Sequence, residues 1–283
     1  MCYNVCVNHA KGGIDMKILS ARYSNGKMRF PKHYHDAHQM LYVSCGSAAV
    51  TFGRREVTIG EGTLVIFNRF DEHSVRVLSE HYRRYSILIF PHDLNEGLDD
   101  YLLSSVLLNR ADHLPQMVHL GEKKECFEAI LREMADEYKK KDSFYEKKLN
   151  LLFWQFLITL YRYQSDLFLS DINRNTLMVQ KISHYIEEHF SEKISLADLA
   201  AEYHVSLSHL THFFKKTTGY APIEYLIECR ISAAKQWLSS SDRSITEIVD
   251  LCGFSDESNF SRMFKKKIGV TPSAFRKSYR LQE

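Results

Sequence analysis

Between about residues 40 and 90 the apolar positions come in short runs, and glycine ends most of them. The runs are Leu41-Tyr42-Val43, Ala49-Val50-Thr51-Phe52, Val57-Thr58-Ile59, Leu64-Val65-Ile66-Phe67, Ser74-Val75-Arg76-Val77 and Ser86-Ile87-Leu88-Ile89-Phe90, with Gly46, Gly53, Gly60 and Gly62 between them. Such runs, bounded by residues that allow tight turns, predict strands. Many short strands at this spacing predict a sandwich or barrel. After Gly121 the period changes. Phe127, Ile130, Leu131, Met134 and Tyr138 fall on one helical stripe, and Leu149, Leu152, Phe153, Phe156, Leu157 and Leu160 on a second. Two such helices either cover the barrel or pair with a second chain, and the pattern leaves both open. The polar stretch Ser170-Asp171-Ile172-Asn173-Arg174-Asn175-Thr176 then reads as a linker.

Beyond the linker the chain repeats itself. Residues 195–226 and 244–276 align at an offset of 49 that rises to 50 across a turn, the mark of one supersecondary unit built twice. In copy one Leu196, Leu199, Ala200 and Tyr203 follow the i, i+3, i+4, i+7 pattern, as Ile245, Ile248, Val249 and Cys252 do in copy two. A turn follows at His204-Val205-Ser206 and at Gly253-Phe254-Ser255. Glycine reaches positive φ without steric cost and histidine tolerates it. Ser206 and Ser255 are the expected N-caps of the next helix. That helix should bury Leu210, Phe213, Phe214 and Thr217 in copy one, and Phe260, Met263 and Phe264 in copy two.

The opposite face of each second helix carries the chemistry. Copy one has Ser208, His209, Thr211, His212, Lys215 and Lys216; copy two has Ser258, Asn259, Ser261, Arg262, Lys265 and Lys266. Short hydrogen-bonding side chains lead and cations follow. This order suits a helix inserted N-terminus first into a DNA major groove, with base edges read by Asn, His, Ser or Arg and phosphates held by Lys. Gly219 and Gly269 stop the helices, and Pro222 and Pro272 start the next ones. Residues 222–238 read as one connecting helix through Leu226, Cys229, Ala233 and Trp237.

Charge sharpens this picture only locally. The 283 residues hold 37 basic and 35 acidic side chains, a net charge of +2, so affinity for nucleic acid must come from clustering. Between residues 258 and 280 there are seven basic residues (Arg262, Lys265, Lys266, Lys267, Arg276, Lys277 and Arg280) and no acidic one. The six cysteines form no C-x-x-C pair, which argues against a disulfide framework or a structural zinc site and fits a reducing cytoplasm. The N-terminus has no secretory pattern, and the longest apolar run, residues 151–161, is broken by Gln155 and too short to span a bilayer. A soluble, cytoplasmic protein is expected.

Residues 180–280 resemble the DNA-binding domain of the AraC/XylS family of bacterial regulators. The resemblance rests on Ile248-Val249-Asp250-Leu251-Cys252-Gly253-Phe254, on Asn259-Phe260-Ser261-Arg262-Met263-Phe264-Lys265-Lys266, and on Gly269 with Thr271-Pro272-Ser273-Ala274-Phe275-Arg276. It implies a seven-helix domain whose two recognition helices enter successive major grooves on one face of the DNA, and activation through RNA polymerase. His33-Tyr34-His35-Asp36-Ala37-His38-Gln39 and Gly62-Thr63-Leu64-Val65-Ile66-Phe67-Asn68 leading to His73 resemble the two half-motifs of the cupin barrel. In metal-binding cupins two histidines, a glutamate and a later histidine converge on one ion. Here His33, His35 and His73 fall on the histidine positions and Gln39 stands where the glutamate would. With that carboxylate missing, the expected occupant near His33, His35, Gln39, Tyr42 and His73 is a small organic ligand; no metal and no cofactor are expected. A three-histidine site with an open position is the alternative. His38 reads as surface or pocket rim.

These readings combine into a multidomain α+β chain. Residues 1–120 form a cupin-like ligand-sensing β-barrel, with residues 1–20 a loose segment; residues 121–169 form a helical dimerisation or packing segment, and residues 170–177 a linker. Residues 178–283 form an all-α DNA-binding domain with helix-turn-helix motifs at 196–217 and 245–267. The expected function is sequence-specific transcription regulation, by activation, as a homodimer on double-stranded promoter DNA. Its other partners would be RNA polymerase and a small-molecule effector such as a carbohydrate. The competing expectation is a cupin metalloenzyme fused to a DNA-binding domain. No Ser/His/Asp or Cys/His arrangement and no phosphate loop offers other chemistry, so the chain is not expected to be an enzyme.

Overall fold

The computed structural model describes residues 18–25, 29–33, 35–89, 103, 106–107, 116–169 and 174–280. The chain divides into two compact units between Leu177 and Met178. The N-terminal unit holds strands β1 (Ile18–Asn25), β2 (Arg29–His33), β3 (His38–Cys45), β4 (Ser47–Phe52), β5 (Arg55–Gly60), β6 (Thr63–Phe67), β7 (His73–Val77), β8 (Arg83–Ile89) and β9 (Gln116–His119). They form a five-stranded sheet in the order β1-β8-β3-β6-β9 and a four-stranded sheet in the order β2-β7-β4-β5. The pairings are antiparallel.

Strand alternation sorts side chains onto two faces. Leu41 and Val43 of β3 join Ala48, Val50, Ile59, Val65, Phe67 and Val75 in a core between the two sheets. Met40 and Tyr42, one position out of phase, face the other way. There they pack with Leu64, Ile66, Ile87 and Ile89 against two helices. These are α1 (Lys124–Lys140) and α2 (Tyr145–Tyr163). Phe127, Ile130, Leu131 and Met134 of α1 and Leu149, Phe153, Phe156 and Leu160 of α2 lie in this second core. Burying each such side chain is worth roughly 1.5–3 kcal/mol of gross hydrophobic stabilisation. The hairpin therefore covers the sheet, which settles one of the two uses its pattern allowed. The short helix α3 (Ser165–Leu169) follows.

The six expected strand runs fall in β3 to β8, with Phe90 outside the described residues. Residues 1–17 also lie outside them. Residues 18–20, expected in a loose segment, instead open β1, which pairs with β8 from Ile18 to Asn25. This edge strand is half exposed, so its apolar signal is thin. The Tyr138 hydroxyl donates to the Leu19 carbonyl over 2.8 Å and ties the strand to α1.

The C-terminal half has seven helices among the described residues. They are α4 (Arg174–Glu188), α5 (Leu196–Glu202), α6 (Leu207–Thr218), α7 (Pro222–Ser240), α8 (Ile245–Leu251), α9 (Glu257–Ile268) and α10 (Pro272–Arg280). Because α4 begins at Arg174, the last residues of the expected linker are helical; residues 170–173 lie outside the described set. Helix α7 is the axis. Its Ile231, Ala234 and Leu238 pack with Ile248, Val249, Cys252, Phe254, Phe260 and Phe264 of copy two. Toward copy one, the Tyr225 ring meets Phe214 edge-on with centroids 5.5 Å apart. Arg230 of α7 donates to the Phe190 and Glu192 carbonyls over 2.7 and 2.8 Å, and its guanidinium lies 5.8 Å from the Phe254 ring. One side chain thus fastens the loop entering copy one beside the turn of copy two.

Candidate functional site

Each copy is built from local chemistry. In copy one Ser195 caps α5 by accepting from the Asp198 amide, and the chain turns at His204 with φ 54°. Ser206 then caps α6 by accepting from the His209 amide over 3.1 Å. In copy two a reciprocal box starts α8: Ser244 accepts from the Glu247 amide, and Glu247 accepts from the Ser244 amide. The turn comes at Gly253 with φ 72°. The cap that follows is not Ser255. Asp256 accepts from the Asn259 amide over 2.7 Å, while the Ser255 hydroxyl donates to the Asp256 carboxylate. The Asn259 amide and the Ser255 hydroxyl hold the Asp256 carboxyl below its usual range. Ser255 is the inserted residue that raises the repeat offset, so the cap position moves one residue along. Both recognition helices end on glycine in the left-handed region, Gly219 and Gly269.

None of the expected DNA-facing side chains is buried. Ser208, His212, Lys215 and Lys216 are exposed on α6, with His209 and Thr211 half-buried beside them. On α9 Ser258, Arg262, Lys265 and Lys266 are exposed, with Asn259 and Ser261 half-buried. The Arg262 guanidinium donates to Asn259 Oδ1 over 3.2 Å, so two candidate base readers support each other. Lys267 and Arg276, counted with the basic cluster from the sequence, are used internally. Lys267 pairs with Glu228 of α7, which is only 5% exposed, and Arg276 donates to the Arg243 carbonyl. The two recognition helices are held by the 19-residue α7, about 28 Å long at 1.5 Å per residue.

In the N-terminal unit the structure brings together three of the expected ligand residues. His33 ends β2, His73 opens β7, and the two are register partners. Ring centroids lie 4.5 Å apart for His33 and His73, 4.8 Å for His33 and His35, and 5.5 Å for His35 and His73. The His73 ring stacks on Phe67 at 4.0 Å, and its Nδ1 lies 2.8 Å from the Asp71 carbonyl. Nδ1 is therefore the protonated nitrogen. Burial, helped by nearby His33 and Arg84, pushes the His73 pKa down to about 4 against the pull of that carbonyl. Gln39 sits across the ladder from Phe67 and donates to the Ser86 hydroxyl over 2.9 Å, while its buried Oε1 accepts no hydrogen bond among the described residues.

Residues 199–278 match the helix-turn-helix domain family, and residues 17–157 match the AraC-like ligand binding domain family. The HTH-type transcriptional activator RhaS of Klebsiella pneumoniae is 25% identical over 286 residues, covering 94% of each chain. RhaS of Salmonella schwarzengrund is 28% identical over 263 residues, covering 87% of each. The chain belongs to the AraC family of transcriptional regulators. The 1.65 Å structure of ToxT from Vibrio cholerae shares the fold of this AraC family chain. The TM-score is 0.55 at 18% identity, over 91% of this chain and 98% of that one. A DNA-binding domain and a ligand-binding domain thus make up a transcription regulator.

In this AraC family chain two residues of the histidine motif stand apart from the cluster. Tyr42 faces the helices, and its hydroxyl donates to Glu128 of α1 over 2.9 Å. Burial and that carboxylate push the tyrosine pKa up. His38, expected at a surface or rim, is buried, because it shares the parity of Met40 and Tyr42 and lies across from Ile89. The Tyr42 to Glu128 contact leads to a feature the sequence reading missed. A cleft of about 300 Å³ opens between α1 and the ends of β1, β3 and β8. Tyr23, Arg83, Tyr85, Glu128, Arg132 and Asp136 line it. Glu128, Arg132 and Asp136 recur every four residues on one face of α1. That spacing was visible, but their sheet partners come from distant segments.

Proposed function

We propose that this chain activates transcription as a homodimer, binding promoter DNA through both helix-turn-helix units and responding to a small polyhydroxylated effector such as a carbohydrate. The observation that carries the reading is the repeated recognition face, where polar and cationic side chains recur on α6 and α9 with their apolar sides anchored to one connecting helix. Such helices, about one DNA turn or ~34 Å apart, read two successive major grooves. DNA selected from a random library and then footprinted should show two protected major-groove segments on one face. A single protected segment would defeat the two-unit reading.

The dimer face we assign is the solvent side of the α1–α2 hairpin, where Leu151 is 71% and Phe144 77% exposed. Contiguous exposed apolar surface marks interaction sites, and these two side chains are the most exposed large apolar groups among the described residues. Leu151→Glu should convert the dimer to a monomer in sedimentation, and a wild-type monomer would refute the assignment. For the effector we favour the cleft beside α1. Tyrosine rings, guanidinium groups and carboxylates there supply stacking faces with donors and acceptors for hydroxyl groups. An occupant bridging the sheet and α1 would favour one hairpin placement over another, the differential affinity that regulation requires. Arg132→Ala should abolish the thermal stabilisation by sugars. The relatives named transcriptional activators support activation, for which the proposed partner is RNA polymerase, and the match to the AraC-like ligand binding domain supports a sensing rather than catalytic role for residues 17–157. A cytoplasmic location agrees with the described helices, none long and apolar enough to cross a membrane.

A further inference from the structure

We infer that the cleft beside α1, on the reading that it is the effector site, takes a small acidic sugar whose carboxylate is held by Arg83 and Arg132 while its hydroxyl groups donate to Glu128 and Asp136. Strand parity builds the floor. Tyr23, Ser44, Arg83 and Tyr85 continue the phase of Ala21, Tyr42 and Ile87, so they point to the face that α1 covers and not into the core between the sheets. Tyr23 and Tyr85 are register partners across β1 and β8, with ring centroids 5.1 Å apart, and Tyr85 is in turn the register partner of Tyr42 on β3. Three tyrosines thus lie in one row across the sheet. Such rings offer an apolar face for the C–H groups of a sugar beside a polar tip.

The charges select an acid. Arg83 lies beside the Cys45 thiol and the Tyr23 hydroxyl, and Arg132 beside the Tyr85 hydroxyl; these contacts push both guanidinium pKa values further up. Neither guanidinium forms an ion pair with a carboxylate among the described residues. Lys124, at the start of the same helix, is by contrast taken by Glu61 over 2.8 Å. A guanidinium presents a planar fork that fits a carboxylate with two parallel N–H···O bonds. Here one fork comes from the sheet and the other from α1, so a bound carboxylate would tie the two together. The acidic residues of the cleft select the rest of the molecule. Glu128 receives the Tyr42 hydroxyl on Oε1, which leaves Oε2, and both oxygens of Asp136, to accept from an occupant. These two residues stand one turn before and one turn after Arg132, about 12 Å apart along the helix axis. One ammonium group reaches only one of them, whereas a row of hydroxyl groups reaches both. The volume of about 300 Å³ lies at the small end of ligand pockets and suits a small saccharide.

The test is calorimetric titration of the full chain with galacturonate, glucuronate, mannuronate and guluronate, each beside its neutral parent hexose, and with glucosamine as the cationic probe. At least one hexuronate should bind about tenfold tighter than its parent, the gain expected from one charge-assisted contact. Arg83→Gln and Arg132→Gln, both at exposed positions, should keep the circular dichroism of the parent chain. Each should weaken the hexuronate by about tenfold and narrow its advantage over the neutral hexose. A neutral hexose bound as tightly as its acid would overturn the acidic class and leave the sugar reading of the cleft standing; no hexuronate and no hexose bound at all would overturn both. Glucosamine bound more tightly than every hexuronate, or hexuronate affinity unchanged in both folded variants, would also overturn the proposal.

Discussion

Copy one turns at His204 and caps its recognition helix with the Ser206 hydroxyl; copy two turns at Gly253 and caps with the Asp256 carboxylate. Both turns need positive φ, yet only one requires glycine for space. His204 is exposed, whereas a Cβ on residue 253 would sit 2.3 Å from the Ser191 carbonyl oxygen. The copies therefore agree where the backbone demands it and diverge where packing differs. Copy two also carries a charged cap, the Arg262 to Asn259 contact and the Lys267 to Glu228 pair. Copy one relies on neutral caps and on His209 and His212.

The largest expected asymmetry is at the turns. Gly253→Ala must move backbone as well as adopt a left-handed conformation, and should cost about 3 kcal/mol. His204→Gly should stay within about 1 kcal/mol of the parent, because relief of φ strain offsets the added freedom of the unfolded chain. Thermal unfolding of the full chain measures both, and equal losses would break the comparison.

Contacts with DNA come next. Arg262→Ala should cost ~1–3 kcal/mol on a selected site and relax specificity at one position, with little loss on random DNA. His212→Ala should weaken the first footprint segment alone. Lys265→Ala should weaken all sequences alike and reduce the salt slope by about 1. Lys267→Met separates structure from binding: it strands the buried Glu228 carboxylate and should cost about 1–2 kcal/mol of stability. Its salt slope should stay at the parent value. A Lys267→Met variant of normal stability and reduced slope would place that residue on DNA instead.

The smallest difference concerns acid. Because the Asp256 carboxyl is held low by the Asn259 amide, its capping contribution is complete above the unfolded pKa of about 3.9. It is lost as pH falls through the lower folded value. Ser206 has nothing to protonate. Asp256→Asn, which keeps a neutral cap, should flatten the acid limb of the stability profile. Ser206→Ala should lower stability by about 1 kcal/mol at every pH, and a matching acid limb from Ser206→Ala would contradict the assignment of caps.

The DNA-binding half was legible because its signals are local. Helical period, positive-φ residues and terminal glycines and prolines act within a few positions of one another, and the repeat displayed them twice. Where local pattern is ambiguous, sequence alone does not decide. Ser255 and Asp256 are adjacent and both are good caps, so only the hydrogen bond from Asn259 separates them. Lys265, Lys266 and Lys267 are equivalent letters until Glu228, 39 positions away, takes one of them. Tyr42 groups with the histidines in sequence alone, because β3 is buried on both faces from His38 to Val43. A strand without polar alternation does not announce which parity points inward.

The sequence by itself determined that two helix-turn-helix units follow a β-rich domain, which residues face outward on each recognition helix, and that histidines from two segments belong to one motif. Period and turn chemistry specify the first two without reference to the rest of the chain, and the resemblance to the cupin half-motifs implies the third. Only the tertiary structure decided that the α1–α2 hairpin covers a sheet, that Tyr42 leads to a cleft while His33, His35 and His73 gather elsewhere, and that Gly253 admits no Cβ. Each of these depends on strand parity or on contact between residues far apart in sequence. Such contacts are fixed by packing of the whole domain, which no local pattern encodes.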